Sequence, residues 1–152
     1  MRFVLGELTH PQVLELLEEH LRSSRLHSPP ESVHALDVQS LRHPDIAFWT
    51  VWDGEELLGC GALRRLDASH AELKSMRTAY AHQRKGVGRA MLKHLLAEAE
   101  AIGIARISLE TGSPDAFAPA RSLYREMGFD ECGPFAGYVP DAYSVFMTKR
   151  LA

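Results

Sequence analysis

Apolar residues recur every three to four positions in four stretches of the chain, the spacing of one buried face of an α-helix. The clearest stretch runs from Gly86 to Ile102, and Gly103 follows it as a stop signal. Prolines stand near the start of the other three, where a missing backbone N–H costs little. The pattern predicts helices over residues 10–24, 29–41, 86–102 and 113–127.

Alternating apolar, β-branched and aromatic residues mark the strands. The strongest is 46–53 (IAFWTVWD), and the Asp53-Gly54 pair at its end is typical of a hairpin turn. Three successive strands should form an antiparallel meander, and the strand after the 86–102 helix should return parallel. Strands are predicted over residues 2–8, 46–53, 57–66, 70–79, 104–111 and 142–149, with one more beginning at Phe129. We therefore expect one α/β (α+β) domain over residues 1–152, with a mixed, mostly antiparallel sheet flanked by about four helices.

The composition narrows the class of protein. The chain has 152 residues, of which 45% are apolar and 24% charged, and its net charge is −3. An acidic balance disfavours a general nucleic-acid binder, and no apolar run approaches the length that spans a bilayer. Two cysteines, Cys60 and Cys132, are too few for a disulfide framework and fit a reducing compartment. We expect a cytoplasmic protein that binds neither nucleic acid nor membrane.

A glycine-containing loop precedes the long helix. It reads Gln83-Arg84-Lys85-Gly86-Val87-Gly88-Arg89, so two glycines and three basic residues meet the free N–H groups of a helix start. A Walker loop is absent, and Met91 stands where a dinucleotide fingerprint needs its third glycine. Taken alone, the loop fits a phosphate site and an ordinary strand-to-helix turn about equally well.

Two longer motifs surround this loop and resemble the GNAT N-acetyltransferase family. Gln83-x-x-Gly86-x-Gly88 resembles the family's Q/R-x-x-G-x-G/A signature, and residues 72–82 (ELKSMRTAYAH) resemble the strand that precedes it. Residues 120–129 (ARSLYREMGF) resemble the family's A-x-x-L-Y-x-x-x-G-F motif. The resemblance covers most of the chain. It implies a sheet that splays at residues 70–79 and a cytoplasmic enzyme that uses acetyl-CoA.

The resemblance also implies which residues bind the acetyl-CoA. The loop and helix start hold its pyrophosphate through backbone amides, and the splayed strand bonds its pantetheine arm through main chain. Carried over, the binding residues are Met76, Arg77, Thr78, Gln83, Arg84, Lys85, Gly86, Val87, Gly88 and Arg89. Tyr80 departs from the usual proline, Gln83 from the commoner arginine, and Phe117 from an asparagine that many members place against the cofactor arm.

Amine acetylation needs a base, an oxyanion donor and a proton for the leaving thiolate. The resemblance places Tyr124 beside the thioester sulfur as proton donor, whereas its spacing alone also fits a core tyrosine. Glu72, on the splayed strand, is the leading base, and the alternative is a half-exposed glutamate paired with Lys74 or Arg64. Glu110, at the end of the next strand, is the reserve candidate.

The sequence gives weaker signals for a metal site or a cysteine nucleophile. The eight histidines show no metal-ligand spacing, so we expect no metal, although His34 stands in a segment that lines the acceptor pocket in this fold. Cys60 is interpreted as a small buried hydrophobe. The predicted acceptor is a primary amine of a small molecule. A CoA-binding module without catalysis, a protein acetyltransferase and a homodimer remain alternatives that the sequence leaves open.

Overall fold

The computed structural model describes residues 1–151. Seven strands form one sheet in the order β1-β2-β3-β4-β5-β7-β6. The strands are Arg2–Leu5 (β1), Ile46–Asp53 (β2), Glu56–Arg65 (β3), His70–Thr78 (β4), Arg106–Gly112 (β5), Asp130–Cys132 (β6) and Ser144–Arg150 (β7). The helices are Pro11–His27 (α1), Val38–Leu41 (α2), Val87–Ala101 (α3) and Ala118–Glu126 (α4). Within residues 1–151, no helix is long and apolar enough to cross a membrane.

The sheet has the predicted connectivity. Strands β1 to β4 pair antiparallel, which confirms the meander, and β4 pairs parallel with β5 across the α3 crossover. Strand β7 then inserts antiparallel between β5 and β6. The predicted mixed, mostly antiparallel sheet with four helices is confirmed.

Several boundaries differ from the sequence prediction. The helix predicted over 113–127 begins only at Ala118, after a 3-10 turn at Asp115–Phe117. The first strand ends at Leu5 because Gly6 and Glu7 take φ values of +96° and +78°. The first helix continues to His27. The predicted helix over 29–41 is wrong: a single 3-10 turn at Pro30–Ser32 is followed by chain without helix or strand, and α2 begins only where the Asp37 side chain accepts from Ser40 N at 2.8 Å.

A hydrophobic cluster lies on each face of the sheet. The apolar stripe of α3, including Met91 and Leu95, packs against Leu73 and Leu109 on one face. On the other face, Leu17 of α1 packs among a second set of buried side chains. Full burial of one such side chain stabilises the fold by roughly 1.5–3 kcal/mol, so each helix is fixed to the sheet by its stripe.

Strands β4 and β5 separate halfway along. Their pairing runs from His70–Arg106 to Leu73–Leu109 and ends there. A bulge follows in β4, where Ser75 has a φ of +55° and the register against β3 shifts between Cys60 and Ala62. The predicted splay is therefore present, and it leaves the main chain of residues 74–78 facing a gap.

Candidate active site

A cavity of about 600 Å³ occupies the gap between the splayed strands. Helix α1, the start of α3 and helix α4 complete its walls. All the residues predicted for the site line this cavity except Lys85: Glu72, Met76, Arg77, Thr78, Gln83, Arg84, Gly86, Val87, Gly88, Arg89 and Tyr124. Glu110, His34 and Phe117 line it as well.

The start of α3 forms one end of the cavity. Gly86 caps the helix in the left-handed region, at a φ of +81° that glycine adopts without strain. The free N–H groups of the first turn and the side chain of Arg84 therefore offer positive charge to the cavity. Lys85 lies outside, with Nζ 3.3 Å from Nδ1 of His82, and Arg89 is paired with Glu126. This end suits a phosphate group.

The bulged half of β4 forms the floor. Gly61 of β3 lies opposite the bulge, and a Cβ there would come within 2.7 Å of Met76 Sδ. The side chain of Met76 therefore packs directly on Gly61 and would have to move to admit a Cβ there. Arg77 lies next in the strand, and its Nε is buried without a hydrogen-bond partner among residues 1–151. Burial, and then the charge of Arg77, lowers the pKa of the neighbouring His20 to about 4.

Tyr124 lines the cavity from helix α4. Its side chain is 7% exposed and packs against the ring of Phe129, with centroids 5.8 Å apart. Burial, and then the charge of Glu110, raises the pKa of the phenol. The hydroxyl therefore stays protonated at neutral pH, as a proton donor must.

Glu72 is buried in a polar cluster. Its side chain is 1% exposed, and Oε2 accepts hydrogen bonds from Lys74 Nζ at 3.1 Å and from the Tyr138 hydroxyl at 2.5 Å. Lys74 Nζ also donates to the Tyr138 oxygen at 2.9 Å. The pairing with Lys74 agrees with the alternative drawn from the sequence, but the carboxylate is buried and not half-exposed. Oε1 of Glu72 has no hydrogen-bond partner within residues 1–151.

Tyr138 is a member of this cluster that the sequence did not reveal. It stands in the loop between β6 and β7, 66 positions from Glu72. The loop has neither helical nor strand periodicity, and its tyrosine is surrounded by ordinary turn residues. No local signal links it to the site.

Glu110 lies on β5, across the gap from β4. Burial raises the pKa of its carboxyl to about 7, and among nearby charges Lys74 lowers that pKa while Glu72 and Asp141 raise it. A carboxyl that titrates near neutrality is suited to take and release a proton at the working pH. Glu110 therefore meets the electrostatic requirement of a general base.

His34, for which the sequence left a lining role and a surface position equally open, lines the cavity. Its ring meets the ring of Tyr138 edge-on, with centroids 4.9 Å apart. Burial, and then the charge of Lys74, lowers its pKa, so the imidazole is neutral at pH 7. One lining residue, from the segment after α1, is thus held against a tyrosine of the β6–β7 loop.

Phe117 and Cys60 make packing contacts close to the cavity. Phe117 lies against Gly112, where an added Cβ would come within 2.2 Å of its ring. Cys60 is 1% exposed and its thiol donates to the Ser75 carbonyl oxygen at 3.2 Å. Burial raises the pKa of that thiol to about 12, so Cys60 is no nucleophile at neutral pH.

Comparison with known proteins agrees with this geometry. The model of the Acetyltransferase (GNAT) family matches residues 11–129. The chain is 54% identical over 151 residues to the uncharacterized N-acetyltransferase YsnE of Bacillus subtilis, covering 99% of this chain and 100% of that one. It is 48% identical over 145 residues to the uncharacterized N-acetyltransferase YedL of Escherichia coli, covering 95% and 91%.

A solved structure shows the same fold. A Bacillus subtilis acetyltransferase in complex with CoA superimposes with a TM-score of 0.74 over 99% of both chains, at 21% identity. That likeness concerns the fold, whereas the family match and the two relatives concern the sequence itself. Together with the cavity at the splayed strands, they show that the chain belongs to the acetyltransferase (GNAT) family and is an acetyl-CoA-dependent N-acetyltransferase.

Proposed function

We propose that this acetyltransferase moves an acetyl group directly from acetyl-CoA to the primary amine of a small-molecule acceptor. The observation that carries the proposal is that one cavity is lined by a helix start suited to phosphate, an open strand edge, a buried tyrosine and two glutamates. Each of these features supplies one requirement of amine acetylation.

In this proposal the α3 end of the cavity and the β4 edge hold acetyl-CoA, which supplies the thioester. The N–H groups after Gly86 bind its pyrophosphate, with Arg84 adding charge. The main chain at Met76 and Thr78 bonds the pantetheine arm as an added strand. A main-chain N–H near Met76 donates to the thioester oxygen as negative charge develops there.

The candidate acid and bases are Tyr124, Glu72 and Glu110, which all line the cavity. Tyr124 gives its proton to the departing thiolate, because a buried phenol is protonated at neutral pH. Glu72 and Glu110 are both candidates for the group that takes the proton from the amine. An alkyl amine with a pKa near 10.4 is only about one part in 10³ neutral at pH 7, so this group is needed.

Contacts between two segments beside the cavity support a small acceptor. His34 and Tyr138 meet edge-on there, and the Ser32 hydroxyl donates to Asp141 at 2.5 Å. These contacts tie together the two segments that border the acceptor end. A folded protein presenting an amine would have to part them, whereas a small amine would not.

The test is the release of free thiol from acetyl-CoA in the presence of a panel of primary alkylamines, with CoA binding measured by calorimetry on the same protein. We expect CoA to bind and at least one amine to accelerate thiol release well above the hydrolytic background. CoA binding without amine-dependent release would instead indicate a CoA-binding module, and acetylation of a protein amine alone would indicate a protein substrate.

A further inference from the structure

Arg77 is a half-buried arginine whose side chain has no partner in the part of the chain that the structure describes, residues 1–151: it makes neither a salt bridge nor a hydrogen bond there. Arg106 and Arg121 are half-buried too, but their guanidinium groups donate to a threonine hydroxyl and to main-chain oxygens. Of the Arg77 nitrogens only Nε is enclosed, so the two Nη atoms are left accessible. A charge drawn partly out of water without a partner is unfavourable, so we expect a ligand to complete it.

The Arg77 side chain lies on the α1 side of the sheet. Arg77 is directly opposite Cys60 in the β3–β4 pairing, and opposite residues share a face. Cys60 belongs to the buried cluster that packs under α1. The charge of Arg77 acts on His20 of α1, and both residues line the cavity. The other cavity-lining residues of α1 and its cap are polar as well: Ser23, Ser24, His27 and Ser28. The guanidinium therefore lies at a polar wall of the cavity, between β4 and α1.

This wall of the cavity carries positive charge. His20 is neutral at pH 7, because burial and then the charge of Arg77 lower its pKa to about 4. The acidic side chains that line the cavity are Glu72 and Glu110, and within residues 1–151 neither forms a salt bridge with Arg77. The charge of the guanidinium is therefore not balanced from within the wall, and an anion is the ligand that it favours.

The other lysine and arginine side chains that line the cavity already have partners or a place in the proposed function. Lys74 and Arg89 each pair with a glutamate of this chain. Arg84 lies at the α3 end, where the proposed function places the pyrophosphate. Arg77 instead follows directly after Met76, whose main chain is proposed to contact the thioester. In that arrangement the unpaired cation lies beside the reacting end of acetyl-CoA.

We propose that the guanidinium of Arg77 binds a carboxylate of the acceptor, so that the acceptor is an amino acid or a similar compound. Its amine and its carboxylate are then only a few bonds apart, because the first lies at the thioester and the second beside Met76. The planar fork of a guanidinium donates two parallel hydrogen bonds to a carboxylate. This inference rests on the proposed function and names the substrate class of the same site. A phosphate of acetyl-CoA is the other source of an anion, and the test separates the two.

The test compares acceptors that differ in their carboxylate. Leucine and 4-aminobutyrate are matched with the neutral leucinamide and 4-aminobutanamide, and thiol release from acetyl-CoA gives kcat/KM for each. The ratio of acid to amide is compared between wild type and variants, because differences in amine reactivity cancel in that comparison. We expect Arg77→Gln to lower the ratio by about tenfold or more, the scale of one hydrogen bond between charged groups. Arg77→Lys keeps the charge without the fork and should give an intermediate ratio.

Arg22→Gln is the matched control. Arg22 is an exposed arginine of α1, outside the cavity lining, so its loss removes one positive charge from the same helix face region without touching the site. A screened surface charge contributes little, and the ratio should change by less than about twofold. Calorimetry gives the Kd for CoA, which in Arg77→Gln should stay within about threefold of wild type.

Three results would overturn the inference. An unchanged ratio with an unchanged Kd for CoA in Arg77→Gln would show that the guanidinium binds no anion. An unchanged ratio with a Kd for CoA raised about tenfold would assign the guanidinium to a phosphate of CoA. Acetylation of butylamine and of neither amino acid by wild type would exclude a carboxylate in the acceptor. Thiol release from none of these amines would instead contradict the proposed function itself.

If Arg77→Gln does not fold, inhibition of the wild-type enzyme gives the same answer. The probes are 4-methylpentanoate, which is leucine without its amine, and the neutral 4-methylpentanamide, each competing with butylamine. We expect the carboxylate to inhibit about tenfold more strongly than the amide. Equal inhibition by the two would overturn the inference.

Discussion

The Ser32 hydroxyl donates a hydrogen bond to the Asp141 carboxylate although 109 positions separate the two residues. Ser32 is 6% exposed, in the turn after α1, and Asp141 lies in the β6–β7 loop. Beside this bond, His34 and Tyr138 make their edge contact. The two contacts hold the segment after α1 against the β6–β7 loop, beside the part of the cavity that His34 lines.

Removing the Ser32–Asp141 hydrogen bond should loosen only the part of the cavity wall beside His34. In Ser32→Ala, Asp141 loses a donor and the β6–β7 loop is less firmly held. We expect the KM for the amine to rise about threefold to tenfold, within what one hydrogen bond to a charged group contributes, and the Kd for CoA to stay within twofold. Steady-state kinetics and calorimetry measure the two constants.

Ser69→Ala is the matched control. Its hydroxyl bonds Asp67 in the turn between β3 and β4, outside the lining of the cavity. Equal changes of KM in both serine variants would show that the Ser32–Asp141 bond has no special part in acceptor binding.

A side chain at Gly61 should crowd the packing behind the bulge and destabilise the fold. A Cβ there would lie 2.7 Å from Met76 Sδ and 2.8 Å from Leu95 Cδ1, so Gly61→Ala must displace the bulge residue or the α3 stripe. Overpacking of this kind costs about 1–3 kcal/mol in the free energy of unfolding, measured by urea denaturation. Gly133→Ala, which would place its Cβ in open space, is the control and should change that free energy by less than about 0.5 kcal/mol.

Stability should fall as the pH falls from 6.5 towards 4. In the folded protein burial holds the pKa of His20 near 4, against 6.5 in the unfolded chain. Between these values the unfolded chain binds more protons, so stability that is fully present above pH 6.5 is progressively lost below it. The shift corresponds to at most about 3 kcal/mol.

Denaturation curves at pH 7 and pH 4.5 check this. His20→Gln should lose less stability between the two pH values than wild type, whereas His43→Gln, on an exposed side chain, should behave as wild type. A His20→Gln variant with an undiminished loss of stability on acidification would contradict the assignment.

Tyr124→Phe should separate binding from chemistry. The ring keeps its packing against Phe129 while the proton donor to the thiolate disappears. We expect kcat to fall by about 10²-fold or more, the usual scale for a lost general acid, with the Kd for CoA unchanged. An unchanged kcat would show that Tyr124 is only a core residue.

The regular elements could be predicted from the sequence because their signals are local. Helix α3 begins and ends within one residue of the predicted span, since its stripe obeys the helical period over four turns and glycines stand at both ends. The meander could be predicted from the composition of its strands and from one hairpin-turn signal. These signals depend on a few neighbouring residues, so tertiary contacts did not alter them.

The acceptor end could not be predicted in the same way. The segment 29–41 carries genuine helix-start residues, but residues 33–37 form neither helix nor strand, and Leu36 packs against the α1 cluster. The burial of Glu72 likewise depends on Tyr138, which reaches it from a loop with no periodic pattern. Contacts between segments far apart in sequence decide this part of the site.

Proton transfer from the amine to a carboxylate in the cavity is tested most directly by the pH dependence of amine-dependent thiol release, measured for wild type and Glu110→Gln. As a candidate for the base, Glu110, with a pKa of about 7, must be ionised to take the proton. Wild-type kcat should therefore fall as the pH drops through about 7, and Glu110→Gln should be slow with that limb absent. A Glu110→Gln enzyme that keeps both the rate and the limb of the wild type would contradict Glu110 as the base.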